Sequence, residues 1–174
     1  IDAVELDTLR YMKEEEKLAR DVYLTLHQTW GLPVFQNIAS AESQHMQLVT
    51  WVLNRYGIAD PVVSDQIGVF SQPLFTNLYN ILVNFGNQSV NDALTVGAAI
   101  EDLDINDLIN GWLTTDNRDV GTVFMNLMKG SRNHLRSFGG QLANRGVIYP
   151  ALFIHPSLLQ IIMTTPHETG VNYD

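Results

Sequence analysis

The chain has 174 residues, of which 45% are apolar and 17% are charged, so it can bury one core of ordinary size, and we expect a single domain over 1–174. It contains no run near the roughly 18 apolar residues that a membrane-spanning helix requires. A net charge of -9 has the wrong sign for holding a phosphate backbone, which argues against a nucleic-acid partner. Because the chain has no cysteine, any bound metal must be held by histidine and carboxylate side chains.

Apolar side chains recur at intervals of three and four along the first third of the chain, which predicts two long amphipathic helices. The first is expected at about 3–30 and the second at about 34–56. Gly31 and Pro33 separate them, because glycine suits the left-handed position that ends a helix and proline is tolerated where the next begins. So short a connection makes the two helices antiparallel neighbours.

Two further long helices are predicted in the second half of the chain. Ser89 and Asp92 form a candidate N-cap pair for a third long helix at about 90–112. A polar loop follows, and the fourth long helix is expected at about 119–145, with an apolar stripe along one face. The four long helices together predict a bundle.

The connections complete the predicted architecture. Proline and glycine interrupt residues 57–88, around a short apolar helix at about 74–85. The C-terminal strap, residues 146–174, is expected to be irregular apart from a short helix at about 158–163. Since no segment is typical of a strand, we expect an all-α fold: a four-helix bundle whose long helix 2 to helix 3 crossover carries a short extra helix.

Each of the four stripes, although otherwise apolar, contains a metal-compatible side chain near its middle. Residues three apart lie on one side of a helix, so a carboxylate and an imidazole project together from the second helix and two carboxylates from the third. At a rise of about 1.5 Å per residue, one group on each helix lies roughly 18–24 Å from the neighbouring turn, so the four are at matching depth: Glu16, His45, Glu101 and His134. The candidate ligands are Glu16, Glu42, His45, Glu101, Asp104 and His134.

A bound cation would explain why so many acids share one interior. An uncompensated buried charge costs several kcal/mol and like charges repel, whereas a positive ion removes both penalties. Oxygen and imidazole ligands without sulfur, in excess of what one ion needs, indicate two metal ions. Iron is the first expectation, with manganese or zinc as alternatives.

These residues resemble the ferritin-like di-iron carboxylate superfamily, in which helices one and three each supply a glutamate and helices two and four each supply Glu-x-x-His. The spacing of Glu16, Ala19 and Tyr23 is similar to that in rubrerythrins and bacterioferritins. Over most of residues 9–150 the chain is similar to an uncharacterised family of ferritin-like domains. That similarity is carried by the segments EEEKLARDVYLTL, AESQH, IEDLDINDL and GSRNHLRSF.

The resemblance implies oxidation and reduction with dioxygen or peroxide, supplied with electrons by a donor that the sequence does not identify. It also implies ligand roles, with Glu42 as the bridge between two ions and Asp104 as a switchable or substitute ligand. Ser131 departs from the pattern, because a glutamate is expected three residues before His134. One tightly bound ion with a weaker second ion is therefore the alternative to two equivalent ions.

Several other interpretations stay open from the sequence. A non-catalytic metal-binding or structural bundle is favoured by the missing glutamate, and a metal-free bundle could hold its acids protonated or paired. Glu15 competes with Glu16 as the inward carboxylate, and the acids around Glu101 are also compatible with a solvated face. Tyr11 and Tyr23 lie near the proposed site and are expected mainly to pack, with a redox role or a hydrogen bond to a ligand as the alternatives. Assembly into a homo-oligomer is compatible with the sequence, and so are a cytoplasmic location and secretion after removal of a signal peptide.

Overall fold

The computed structural model describes residues 1–172, and within that range the chain forms six α-helices and no strand, which confirms the all-α prediction. Four long helices form the bundle, one shorter helix lies in the crossover and one lies in the C-terminal strap. In chain order the helices are α1 (Ala3–Trp30), α2 (Pro33–Arg55), α3 (Pro73–Gly86), α4 (Val90–Thr114), α5 (Arg118–Ala143) and α6 (Pro156–Thr164).

The helix ends follow the chemistry of the residues that flank them. Asp2 caps α1 through a capping box with Glu5, and α1 ends at Gly31, whose φ of 66° lies in the left-handed region. The predicted cap of α4 is present, because the Ser89 side chain accepts a hydrogen bond from the backbone nitrogen of Asp92. Asn117 caps α5 in the same way, one residue before the helix starts. Local capping by side chains thus sets where α1, α4 and α5 begin.

The four long helices pack as two pairs. α1 lies against α2, α4 lies against α5, and the pairs meet where α1 contacts α4 and α2 contacts α5. The crossover, residues 56–89, carries α3 across α1 and α4, while α6 packs on α5. Within residues 1–172, no helix is long and apolar enough to cross a membrane.

Two apolar clusters fill the interior and lie on either side of a polar layer. On α1, Leu9 and Met12 belong to one cluster, Leu18 belongs to the other, and Glu16 lies between them with 2% of its surface exposed. On the other three long helices, buried polar side chains likewise lie between residues of the two clusters, with Ile105 of α4 as the exception. The helix pattern therefore places the polar side chains at one level inside the bundle, where water has little access.

The alternative of a solvated acidic face is wrong for the middle of α4. Glu101, Asp102 and Asp104 are all buried, with at most 5% of any of them exposed. Asp102 points away from the polar layer and holds the C-terminal strap, since it accepts hydrogen bonds from the backbone nitrogens of Leu152 (2.6 Å) and Ile154 (2.8 Å). This acid therefore has a structural role that its neighbours do not share.

Candidate metal centre

All six predicted ligands are buried in the polar layer, and five of them converge as two overlapping triads. One triad is Glu16, Glu42 and His45, and the other is Glu42, Glu101 and His134. Within each triad, one potential ligand atom from each residue lies within 4.8 Å of the others. Glu42 belongs to both triads, so it occupies the position of a bridge.

Glu42 lies between the two imidazoles and presents a different oxygen to each. Its Oε2 is 2.8 Å from His45 Nδ1, and its Oε1 is 2.8 Å from His134 Nδ1. A second carboxylate approaches each ring nitrogen, since Glu16 Oε2 is 3.1 Å from His45 Nδ1 and Glu101 Oε2 is 3.3 Å from His134 Nδ1. The two halves of the cluster therefore repeat the same arrangement around Glu42.

The imidazoles are held by close packing as well as by the carboxylates. The rings of His45 and His134 stack with centroids 5.5 Å apart. A Cβ atom added at Gly130 would lie 2.4 Å from His45 Nε2, so the absence of a side chain at this position leaves the space that the ring occupies. The backbone of α5 thus closes the site on the side of His45.

Tyr23 connects the cluster to the apolar core beside it. Its hydroxyl donates a 2.6 Å hydrogen bond to Glu101 Oε1, while its ring packs between Phe35 and Phe138. The expectation that Tyr23 packs is confirmed, and it additionally orients a candidate ligand. Tyr11 is half-buried and packs on Phe75, with ring centroids 5.1 Å apart.

Asp104 lies beside the two triads and belongs to neither of them. Its Oδ2 accepts a hydrogen bond from the Ser131 hydroxyl, which occupies the place where the ferritin-like pattern has a glutamate. Its other oxygen, Oδ1, is buried without a hydrogen-bond donor. Asp104 and Ser131 thus form a polar pair next to the cluster, with one carboxylate oxygen free to bind an ion.

The cluster contains buried polar atoms whose hydrogen-bonding capacity the protein does not satisfy. Glu16 Oε1, Glu42 Oε1 and Asp104 Oδ1 have no donor among the described residues, and His134 Nδ1, although close to Glu42, is not aligned to hydrogen-bond with it. Each such atom costs about 1–3 kcal/mol. Converging carboxylate oxygens and imidazole nitrogens are ligands that suit iron and manganese, so these residues fit a pair of metal ions.

The carboxylates and imidazoles strongly perturb one another. Burial raises the pKa of Glu16 to about 8 against the opposing effect of His45, and burial together with Glu42 raises the pKa of Glu101 to about 7. Burial alone would lower the pKa of His134, but Glu42 and Glu101 outweigh it and raise that pKa to about 10. A metal ion that binds here would therefore have to displace the protons held by these side chains.

Comparison with known proteins places the chain in a family. Residues 5–166 match the family described as an uncharacterized protein domain, DUF2202. The chain belongs to this family. The sequence-based prediction of an uncharacterised family is thereby confirmed.

The structure of a relative of the DUF2202 chain has been solved by crystallography. The uncharacterized protein MJ0754 of Methanocaldococcus jannaschii is 50% identical over 172 residues, which cover 99% of this chain and 93% of the relative. The crystal structure of hypothetical protein MJ0754 from Methanococcus jannaschii matches with a TM-score of 0.96, covering 97% of this chain and 96% of that one. The likeness confirms the helical fold. Neither name states an activity, so the chemistry of the cluster itself has to indicate the function.

The sequence left Glu15 as an alternative to Glu16, and in the DUF2202 chain both acids are buried while only Glu16 belongs to a triad. Glu15 is 2% exposed, as Glu16 is, and both of its oxygens lack a hydrogen-bond donor among the described residues. The run Glu14, Glu15, Glu16 resembles a surface segment in the sequence. In the structure these residues are buried because α1 is enclosed by α2, α3 and α4. Consecutive acids on an enclosed helix point to different interior neighbours, and sequence spacing does not reveal which neighbours these are.

Proposed function

We propose that this DUF2202 protein binds two metal ions at the cluster and is an oxidoreductase that reacts with dioxygen or peroxide. Iron is the metal that we expect, with manganese or zinc as alternatives. The observation that carries the proposal is the pair of triads that share Glu42, since a carboxylate with one oxygen directed into each triad is suited to bridge two ions. The proposed reaction also requires a partner that supplies electrons, as the resemblance implies.

Formal charge supports two ions rather than one. Glu16, Glu42, Glu101 and Asp104 are at least 95% buried and carry four negative charges when ionised. Two divalent cations balance that charge, whereas with one ion protons have to compensate the remaining two charges. The Asp104 oxygen that has no donor offers a further ligand in place of the glutamate missing from α5.

The ferritin-like resemblance supports the same assignment. Its pattern has one glutamate from each of two helices and Glu-x-x-His from each of the other two. Here Glu16 and Glu101 lie on α1 and α4, Glu42 and His45 lie on α2, and His134 lies on α5. The five residues occupy the expected helices and meet in space, so the geometry agrees with membership of that superfamily.

The residues around the cluster have roles that follow from their contacts. Tyr23 fixes the orientation of Glu101 by donating to Oε1, which leaves Oε2 directed toward His134. Both imidazoles present Nδ1 to the carboxylates. The two apolar clusters exclude water above and below the polar layer. A bound pair of iron ions would supply reversible electron transfer and open coordination positions for a small oxidant.

Metal analysis and anomalous scattering test the metal assignment. Protein purified without chelators should contain up to two equivalents of iron or manganese, and anomalous maps at the two absorption edges should place them on either side of Glu42. Protein that holds neither metal nor zinc, and that is not stabilised when these metals are added, would contradict the proposal.

Oxidant consumption tests the proposed reaction. The ferrous protein should consume dioxygen or peroxide faster than free ferrous ion does, and Glu42→Ala should lose this activity. Glu14→Gln is the matched control, because Glu14 is also fully buried on α1 but interacts with the crossover through the backbone nitrogen of Ser71.

A non-catalytic metal site is the second candidate function, and the Ser131–Asp104 pair favours it. The pair replaces a potential bridging carboxylate by a hydroxyl that is already hydrogen-bonded. If metal binding raises the melting temperature while oxidant consumption equals that of free ferrous ion, the site stabilises the bundle or sequesters metal without turnover.

A further inference from the structure

Glu15 is a buried acid that belongs to neither triad of the proposed metal centre. Its side chain is almost completely inaccessible, and within residues 1–172 no donor reaches either of its oxygens. The charged groups that act on it most strongly are the carboxylates of Asp104, Asp107 and Glu101. An ionised carboxylate in such surroundings is stable only when a cation or a proton compensates it.

A surface cavity of about 610 Å³ lies between α1 and α4 and reaches Asp107. Asp107 is half-buried, lines this cavity and follows Asp104 by one helical turn on α4, and its carboxylate is among the groups that act most strongly on Glu15. Tyr11 also lines the cavity, and it precedes Glu15 by one helical turn on α1. Arg10 is the basic residue in the lining, which comprises Asp7, Thr8, Arg10, Tyr11, Met12, Gln72, Asp107, Asn110, Gly111 and Thr114.

Asp104 continues this series of carboxylates toward the metal centre. It acts electrostatically on Glu15, and it also interacts with Glu16 and Glu101 of the two triads. Its Oδ1 is buried and has no donor. The order Asp107, Glu15, Asp104 therefore leads from the cavity to the cluster through carboxylates, two of which have oxygens that the protein does not satisfy.

We propose that Glu15 and Asp107 form a transit site through which divalent metal ions pass from the cavity to the cluster. The proposal rests on the function proposed above, because it assigns a route to the same metal centre. Two carboxylates without an imidazole provide a hard oxygen environment that suits hydrated ferrous or manganous ions. The triads add imidazole nitrogen to carboxylate oxygen, so an ion binds more strongly there and moves inward.

A proton shared between Glu15 and Asp107 is the competing explanation for the presence of these two acids between the cavity and the cluster. The Glu15→Gln variant distinguishes the two explanations. A glutamine amide can donate a hydrogen bond to Asp107 as a protonated carboxyl would, so a proton-sharing pair keeps its geometry in this variant. The amide removes a negative charge, however, and is a poorer ligand for a divalent ion.

Stopped-flow mixing with cobalt(II) chloride tests the transit site, because the visible absorbance of bound Co²⁺ reports filling of the centre. We expect Glu15→Gln to slow filling at least tenfold while the final number of bound ions stays that of the wild type. Asp107→Asn, at the half-buried entrance, should slow filling in the same direction. Glu14→Gln should fill at the wild-type rate, since Glu14 is equally buried but faces the crossover.

The outcomes separate this proposal from the metal centre itself. If the wild type binds Co²⁺ and Glu15→Gln and Asp107→Asn both fill at the wild-type rate, the transit site is wrong and the metal centre stands. If the wild type binds no Co²⁺, iron or manganese, the metal centre fails and the route to it fails as well. Melting curves of the metal-free variants show whether each is folded, and Asp107→Asn provides the test if Glu15→Gln is not.

Discussion

Two adjacent residues of α4, Glu101 and Asp102, are equally buried but face different kinds of partner. Asp102 accepts hydrogen bonds from the Tyr149 hydroxyl and from the backbone nitrogens of residues 152–154. Glu101 has one hydroxyl donor and otherwise faces an imidazole that a second carboxylate also approaches. Hydrogen-bond donors of the protein compensate the carboxylate of Asp102. Glu101 instead belongs to a cluster in which carboxylates outnumber the groups that could carry positive charge.

This difference teaches that burial alone does not identify a ligand. A buried carboxylate surrounded by N–H and O–H donors is stable as an ion and fixes the chain, because charge-assisted hydrogen bonds compensate for lost hydration. A buried carboxylate surrounded by other carboxylates requires a cation. The two classes of acid should therefore respond in opposite ways to metal, mutation and pH.

The largest expected effect is on the satisfied acid. Asp102→Ala removes the acceptor for four donors, and since hydrogen bonds to a charged group are worth about 1.5–3 kcal/mol each, we expect a loss of about 6 kcal/mol in the free energy of unfolding. Urea denaturation with and without added metal checks this. The loss should be the same in both conditions, and a loss seen only with metal would remove the distinction between the two acids.

Glu42→Gln should show the opposite dependence. The wild type at a free metal concentration a hundred times its Kd should gain about 2.7 kcal/mol in unfolding free energy, and the variant should gain almost none because both triads lose their shared ligand. Melting temperatures recorded with manganese(II) or iron(II) test the difference. An equal gain in both proteins would show that Glu42 is not a ligand.

Raising the pH should affect the metal-free and the metal-bound protein in opposite directions. Because the pKa of Glu16 is raised to about 8 and that of Glu101 to about 7, the metal-free fold favours their protonated forms and should lose stability as pH rises from about 4.5 toward 8. Metal affinity should rise over the same window, by about 1.4 kcal/mol per pH unit for each proton displaced. Calorimetric titrations in buffers of different ionisation enthalpy measure that proton release.

How much of this contrast could be predicted from the sequence depends on how local its causes are. Helix ends such as Gly31 and Ser89 are set by neighbouring residues, and the Glu42-x-x-His45 spacing alone places two side chains on one face. The partner of Asp102 lies about fifty residues away in an irregular strap, where no periodicity marks a backbone donor. Residues on the regularly spaced faces of long helices were therefore predictable, including the meeting of Glu42 with His134 across two helices, whereas residues whose partners lie in the irregular strap were not.

Gly130→Ala should perturb the metal centre without changing a ligand. The added methyl would meet His45 Nε2 at 2.4 Å, so the ring must move, and we expect at least a tenfold loss of metal affinity, or about 1.4 kcal/mol. Gly140→Ala is the matched control on the same helix, because its methyl meets nothing within 4 Å. Similar affinities in the two variants would show that the position of the His45 ring is unimportant for binding.

The smallest effect is expected where the strap is held at the surface. Glu168 pairs with Arg132 and Arg136, and hydrogen bonds from these arginines lower its pKa to about 2. Because the pKa is lowered in the folded state, the pairing stabilises the protein fully above about pH 4.5 and is lost as pH falls toward 2.

Glu168→Gln should therefore cost about 1 kcal/mol at pH 7 and almost nothing at pH 2, measured by urea denaturation. Its loss at pH 7 should shrink in high salt, because exposed charges are screened. It should also leave metal affinity unchanged, since Glu168 holds the strap to the outer face of α5 and contacts none of the triads. A change in metal affinity would instead mean that docking of the strap helps to set the position of His134, which lies between the two arginines on α5.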